Sequence, residues 1–366
     1  MLALLTYDLL MTKYIIIRTL WIMIIISIIL TLNFTLLKLA PEYPPTTKEE
    51  KTIYYARQVS DGYMTERIEA NPLVMNSLAR NEITPGRNVY FKNENTRYRI
   101  YEPISIAKQY ISWVTNIVTD WNWGYSTRVQ VNVPVFDVLK DRMVVTLKLN
   151  LIALFFYIPI GFTLGIIAAL KKNSFTDNVI SLGVMIFISI PSFVMMTLLL
   201  MLFGYTLEWL PTQFPSADLT GSIQFTGLIL PVLGLSFGSI AGLTRVTRAE
   251  LTEVLTSEFL LLARTKGLTR NQAVIRHAMR NSMVPLVPSI IGSFVSLLSG
   301  SVIIEMIYGV PGTGRVYIRA LTKNSYDYNL ILGTTAFYTI IGLFAVLLVD
   351  LSYGIVDPRI RMGARK

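Results

Sequence analysis

Apolar positions in this chain gather into blocks rather than recurring at even spacing. Six blocks, 19–37, 144–170, 179–203, 227–243, 284–304 and 330–349, are almost free of charge. A helix rises about 1.5 Å per residue, so most of these blocks can cross roughly 30 Å of hydrocarbon. The block at 227–243 is Gly-rich and sits at the short limit. The pattern predicts an all-α membrane protein with six transmembrane helices. The first block also reads as the apolar part of a cleavable signal. Its length, and the lack of a small-x-small site before Pro41, favour a retained helix.

The polar stretches divide the chain into 1–37 (tail and first span), a long segment 38–143, and a five-span core 144–366 with an inner loop at 245–284. The long segment opens on Pro41, Pro44 and Pro45, which read as an extended linker. Within it Ile104, Ala107, Ile111, Val114 and Val118 recur on one helical face. Trp113, Trp121 and Trp123 follow, where the chain nears the membrane again, and are read as interface aromatics.

Basic residues set the orientation. Lys13 and Arg18, Lys171 and Lys172, seven Lys or Arg of the 245–284 loop and four at the C-terminus all fall on one side. The short loop 204–226 on the other side has none, and the one after the fifth span has Arg315, Arg319 and Lys323. Both termini are therefore expected in the cytoplasm, with 38–143 outside. The net charge of +10 is explained by these flanks, and nucleic acid is not an expected partner.

Candidate chemistry is sparse. The chain has no cysteine and one histidine, His277, so disulfides, thiolate sites and a histidine metal site are not expected. Lys148, Glu305 and Asp350 lie near span ends, and no carboxylate falls at a midplane where a proton- or sodium-coupled carrier would need one. No G-x-x-x-x-G-K-[ST] loop occurs, so any ATP must be used by another polypeptide. Gly161 with Gly165, and Gly238 with Gly242, let helices approach closely, either within the chain or at a dimer interface or pathway wall. Pro159, Pro191, Pro231, Pro285 and Pro288 fall within spans.

The inner loop is the informative part. Ser257 can cap a helix beginning at Glu258, with an apolar face from 259–263 that Gly267 ends. Thr269 and Gln272 form a capping box that starts a second helix running towards Arg280 before Pro285. The expected product is a helix–Gly-turn–helix, apolar on one side and basic on the other. It can be an amphipathic connector on anionic lipid, a docking element for a cytoplasmic motor, or a DNA-reading helix pair, which tethering between two spans disfavours.

At this loop the residues resemble a known family. Ala263-Arg264-Thr265-Lys266-Gly267-Leu268, then His277-Ala278-Met279-Arg280-Asn281, are similar to the cytoplasmic loop of ABC importer permeases, in particular the B-type permease of the oligopeptide/dipeptide/nickel class. Gly124-Tyr125-Ser126 with Pro134-Val135, the run from Glu305 to Pro311-Gly312-Thr313-Gly314-Arg315, and Asp357-Pro358-Arg359-Ile360-Arg361 resemble three further motifs of that class, in order. The general Glu-Ala-Ala of such loops is here Leu261, Leu262 and Ala263, so only Ala263 and Gly267 fit.

The resemblance implies a MetI-like fold, N-in and C-in, with an extracytoplasmic insertion between spans one and two. It implies a subunit forming half of an oligopeptide pathway in a prokaryotic cell membrane, with dipeptide or nickel import as the alternative within the class. Its partners would be a second homologous permease, two ABC ATPase subunits that bind ATP and Mg, and an extracytoplasmic peptide-binding protein. Glu258, Ala263, Arg264, Lys266, Gly267 and Leu268 would form the ATPase-coupling loop. The resemblance assigns no catalytic, cofactor or metal residue to this chain, and ATP hydrolysis would lie in the separate subunits. A stand-alone secondary carrier and a membrane scaffold are the readings from other classes.

Overall fold

The computed structural model describes residues 2–40, 45, 47–69, 90–93, 98–215, 221–322 and 326–356. The Asp357-Pro358-Arg359-Ile360-Arg361 motif lies outside them. The described chain runs through α1 (Leu2–Leu39), α2 (Lys48–Ser60), strands β1 (Met64–Glu69), β2 (Tyr90–Asn93) and β3 (Tyr98–Pro103), and α3 (Ile106–Asp120). It continues through α4 (Val135–Leu170), α5 (Phe175–Ser189), α6 (Ser192–Leu199), α7 (Gly221–Leu255), α8 (Glu258–Thr265), α9 (Arg270–Ala273), α10 (Met279–Ile307), α11 (Thr313–Leu321) and α12 (Tyr328–Val356). It packs as two compact units, one of 1–24, 142–315 and 338–366, the other of 25–141 and 316–337.

Among the described residues four helices are long and apolar enough to cross a membrane: Thr12–Leu39, Val135–Leu170, Ile223–Leu255 and Tyr328–Ser352. A fifth is the pair Phe175–Ser189 and Ser192–Thr206, bent by 101°. The expected span at 179–203 is thus broken. The residue before a proline is pushed out of the helical region, and Ile190 accordingly turns extended (ψ 122°) ahead of Pro191. The block at 284–304 falls on α10, a helix of 29 residues with Pro285 and Pro288 inside it.

In the first unit Leu149, Tyr157, Met196, Leu230, Leu286 and Ile304 form the main apolar cluster. The Tyr308 hydroxyl donates to Met196 O within it (2.9 Å). Gly161 and Gly165 prove to be intrachain packing positions: a Cβ on either would press on α7, and Thr244 Oγ1 donates to Gly161 O (3.1 Å). Gly238 and Gly242 face no neighbouring atom.

Glu305 has a role its place at a span end did not reveal. It is fully buried, accepts from Thr146 Oγ1 (2.7 Å) and from the Arg315 N–H at the start of α11 (3.0 Å), and has Gly312 and Gly314 against its carboxyl. The Pro-Gly-Thr-Gly-Arg motif is therefore a cradle that folds the chain around one carboxylate.

The second unit corrects the all-α expectation. Its 38–143 segment carries an antiparallel sheet of order β1-β3-β2, with Glu66 opposite Tyr101 and Phe91 opposite Ile100. Short runs rich in Tyr, Ile and Arg suit a small half-covered sheet, and no long period betrays them in sequence. Tyr55 of α2 stacks on Tyr101 (5.2 Å between centroids). The helix expected over 104–118 is α3. Trp113 on it is buried, not interfacial: it packs with Phe34, Tyr110 and Trp123.

The pre-span motif is structural too. Asp327 is buried and its Oδ2 accepts from Ser126 Oγ (2.6 Å) and from the N–H groups of Thr127 (2.8 Å), Arg128 (3.0 Å) and Val129 (3.2 Å). Gly124 (φ +86°) leaves room for Asn329, and Val135 packs on Gly333.

Candidate functional site

The 245–284 loop is more helical than its sequence suggests. α7 runs on past the apolar block to Leu255, so Arg245 and Arg248 sit on a helix. Residues 244–255 contain no Gly or Pro to stop it. At the far end α9 passes through a π-helical turn (Val274–Ala278) directly into α10, rather than stopping before Pro285. Neighbouring groups re-satisfy the bonds that prolines forgo in such helices.

The turns are set locally. Ser257 takes the extended N-cap conformation, but its hydroxyl donates back to Val254 O instead of capping α8. Gly267 has φ +92°; its N–H donates to Arg264 O (3.0 Å) and the Leu268 N–H to Ala263 O (3.4 Å). These are the paired bonds of a left-handed helix stop. A Cβ at Gly267 would meet nothing within 4 Å, so backbone angle and not space requires glycine there. The capping box is reciprocal: Gln272 N–H donates to Thr269 Oγ1 (3.3 Å) and Thr269 N–H to Gln272 Oε1 (3.1 Å).

The apolar run 259–263 is shared between two faces. Leu260 joins Ala169 of α4, Leu251 of α7, Ala273 and Ala278 in a small core, with Leu268 against it. Ala263 is also buried. Phe259 (41%), Leu261 (63%) and Leu262 (57%) are exposed instead, on the surface that also carries Glu258, Arg264, Lys266 and Gly267. The expected separation of an apolar and a basic side is therefore corrected. A helix buries only one stripe, so three apolar residues share the open surface with Arg264 and Lys266. Leu260 and Leu268 pack the loop on its neighbours and Ala263 is buried, whereas Glu258, Arg264 and Lys266 are exposed. His277 is exposed.

Sequence reasoning missed the clamp beside this loop. Asp177, on the first turn of α5, has a side chain only 1% exposed and receives a two-pronged bond from Arg248 of α7 (Nε to Oδ1 2.6 Å, a terminal nitrogen to Oδ2 2.8 Å). Its Oδ2 also accepts from the Asn173 N–H (2.9 Å), where Asn173 turns with φ +62°. Ser174 followed three residues later by Asp177 was a readable helix-start signal. The partner Arg248, 71 residues on, was not.

A family model described as "Binding-protein-dependent transport system inner membrane component" matches residues 161–362, from within α4 through the loop to the tail. The chain belongs to this family. The dipeptide transport system permease DppB of Bacillus subtilis is 35% identical over 272 residues, 74% of this chain and 84% of that protein. The oligopeptide transport system permease OppB of Salmonella typhimurium is 34% identical over 269 residues, 74% and 84% of the two chains. The chain is thus an ABC importer permease of the dipeptide/oligopeptide type, and a multi-pass membrane protein. A chain of the inward-facing MetNI methionine ABC transporter superposes with a TM-score of 0.50 at 16% identity, covering 61% of this permease and 97% of that chain. That likeness establishes the fold alone, and it is the MetI-like fold expected from the motifs.

Proposed function

We propose that this permease forms half of the pathway of an ATP-driven oligopeptide importer, beside a second homologous permease. The observation that carries this reading is the similarity, over 84% of their lengths, to permeases named for dipeptide and oligopeptide transport. The dipeptide permease of Bacillus subtilis favours dipeptides as the second reading. Six spans, α1, α4, the bent α5–α6 pair, α7, α10 and α12, cross with both termini in the cytoplasm of a prokaryotic cell. The ion pair between Arg18 and Asp350 (3.1 Å) supports this, because it levels the start of the first apolar stretch with the end of the last.

In this reading α8 is the coupling element. Phe259, Leu261 and Leu262 are the apolar anchors in a groove of one of two ATPase subunits. Glu258, Arg264 and Lys266 make the charged rim, Gly267 holds the turn, and Ala263 with Leu268 ties it to the spans. ATP and Mg are bound by the ATPases, and an extracytoplasmic peptide-binding protein delivers the cargo. Closure of the ATPases then moves a short, doubly anchored helix.

The test is mild-detergent purification from the native membrane, followed by peptide uptake into proteoliposomes. Recovery of a second permease and two phosphate-loop proteins, with uptake that requires ATP, is expected. Uptake by this chain without ATPases would establish a secondary carrier, and stable recovery of the chain alone after crosslinking would leave a scaffold.

A further inference from the structure

Beside α8 the first unit contains a second feature, a cavity of about 450 Å³ lined by the end of α4, by α7 and by the loop helices. Three cations line it: Lys172, Arg264 and Arg270. No Asp or Glu does so among the described residues. A polar cavity lined by three positive charges and no carboxylate suits an anion with several acceptor oxygens.

We propose that this cavity binds the phosphate headgroup of an anionic phospholipid of the inner leaflet. Its floor, Ala169 and Leu170, is the end of an apolar span, and Lys172 follows two residues later. That is the depth at which headgroup phosphates lie when the span ends at the inner surface. Phe175, close by in the same turn, is 83% exposed, as an aromatic resting among lipids would be. The turn that carries Lys172 is preset: Asn173 and Asp177 fix it, and Arg248 fixes Asp177. Basic pockets between spans on this side recognise headgroups, whereas an acidic side chain of a protein partner would meet the open Phe259 and Leu262 surface first. The inference rests on the cytoplasmic placement of the loop given above. It makes the lipid a wedge against the element that transmits force, so that bilayer charge tunes coupling.

The test uses the full-length chain, with whatever subunits co-purify, in nanodiscs of phosphatidylcholine. Phosphatidylglycerol is titrated in, and retained lipid is counted by native mass spectrometry. Each cation near an anionic headgroup contributes about fivefold in affinity, so K172Q/R270Q is expected to bind phosphatidylglycerol roughly 25-fold more weakly than wild type. R67Q, on the outer sheet, should bind as wild type does. Equal retention by wild type and K172Q/R270Q overturns the proposal. So does displacement of the lipid by millimolar inorganic phosphate, which would make the ligand a soluble anion. A crosslink from a cysteine at position 270 to an ATPase, with no lipid retained, would give the cavity to the protein partner instead. A cysteine at position 271 labelled from outside would overturn the sidedness reading by itself, while the lipid titration remains interpretable.

Discussion

Gly267 offers the sharpest test of the coupling loop. Its φ of +92° is a conformation that costs an L-residue about 1–2 kcal/mol, and no atom lies close enough to a new Cβ to add a packing cost. Gly267→Ala should therefore weaken the turn by that amount alone, lowering its population ratio by about five- to thirtyfold. Gly267→Asn should cost less, since Asn visits the left-handed region. Gly267→Asp shares Asn's tolerance of that region but adds about 0.3–1 kcal/mol because a carboxylate then faces the negative end of α8. The direct assay is hydrogen exchange at the amides of Gly267 and Leu268, which donate to Arg264 and Ala263. The functional assay is peptide-stimulated ATPase activity of the reconstituted complex. Faster exchange and lost stimulation are expected to be greater for Ala than for Asn, and greater for Asp than for Asn, with assembly of the spans unchanged. Equal effects of Ala and Asn, or Ala with wild-type exchange and stimulation, would refute the argument from backbone angle.

Three further outcomes follow from the packing. Gly312→Ala drives a methyl into the buried Glu305 carboxyl and should cost about 1–3 kcal/mol, read as a lower Tm in detergent. Arg248→Gln strands the buried Asp177 carboxylate. With Arg248 a third exposed, a loss near the lower end of about 3–5 kcal/mol is expected, and D177N/R248Q should recover part of it. Burial pushes the Asp61 carboxyl from the ordinary 3.8 up to about 6, against the pull of Arg57. A folded pKa raised above the unfolded one gives stability that is complete below about pH 4 and lost as pH rises to about 6. The difference is about 3 kcal/mol. Asp61→Asn should thus match wild type below about pH 4 and exceed it near pH 7.5 when unfolding is followed by Trp113 and Trp123 fluorescence. Identical curves near pH 7.5 would count against it.

Much of the loop could be read from the chain because its signals are local. The Thr269–Gln272 capping box and the Gly267 stop act over three or four residues, and the structure has both. Ser257 had the right residue type and conformation, yet its hydroxyl chose Val254 O. The division of 259–263 between core and surface could not be read. Five successive apolar residues look alike until Ala169 and Leu251 show that Leu260 is the one packed on them, with Ala263 buried as well. The Arg248–Asp177 clamp was hidden for the same reason. Neither residue signals its partner across 71 positions.

The sequence by itself determined the class of protein and the long apolar blocks, four of which form single helices long and apolar enough to cross a membrane among the described residues. Length and lack of charge decide whether a segment is stable in hydrocarbon, whatever its neighbours are. It also determined the family, through motifs whose order survives in the chain. Tertiary structure alone decided what those motifs hold. Glu305 sits in the Gly312–Gly314 cradle and Asp327 beneath Ser126 because a buried carboxylate must collect donors from wherever the fold brings them. Tertiary structure likewise turned three short stretches of the 38–143 segment into a sheet, since strands gain their bonds only from partners distant in the chain.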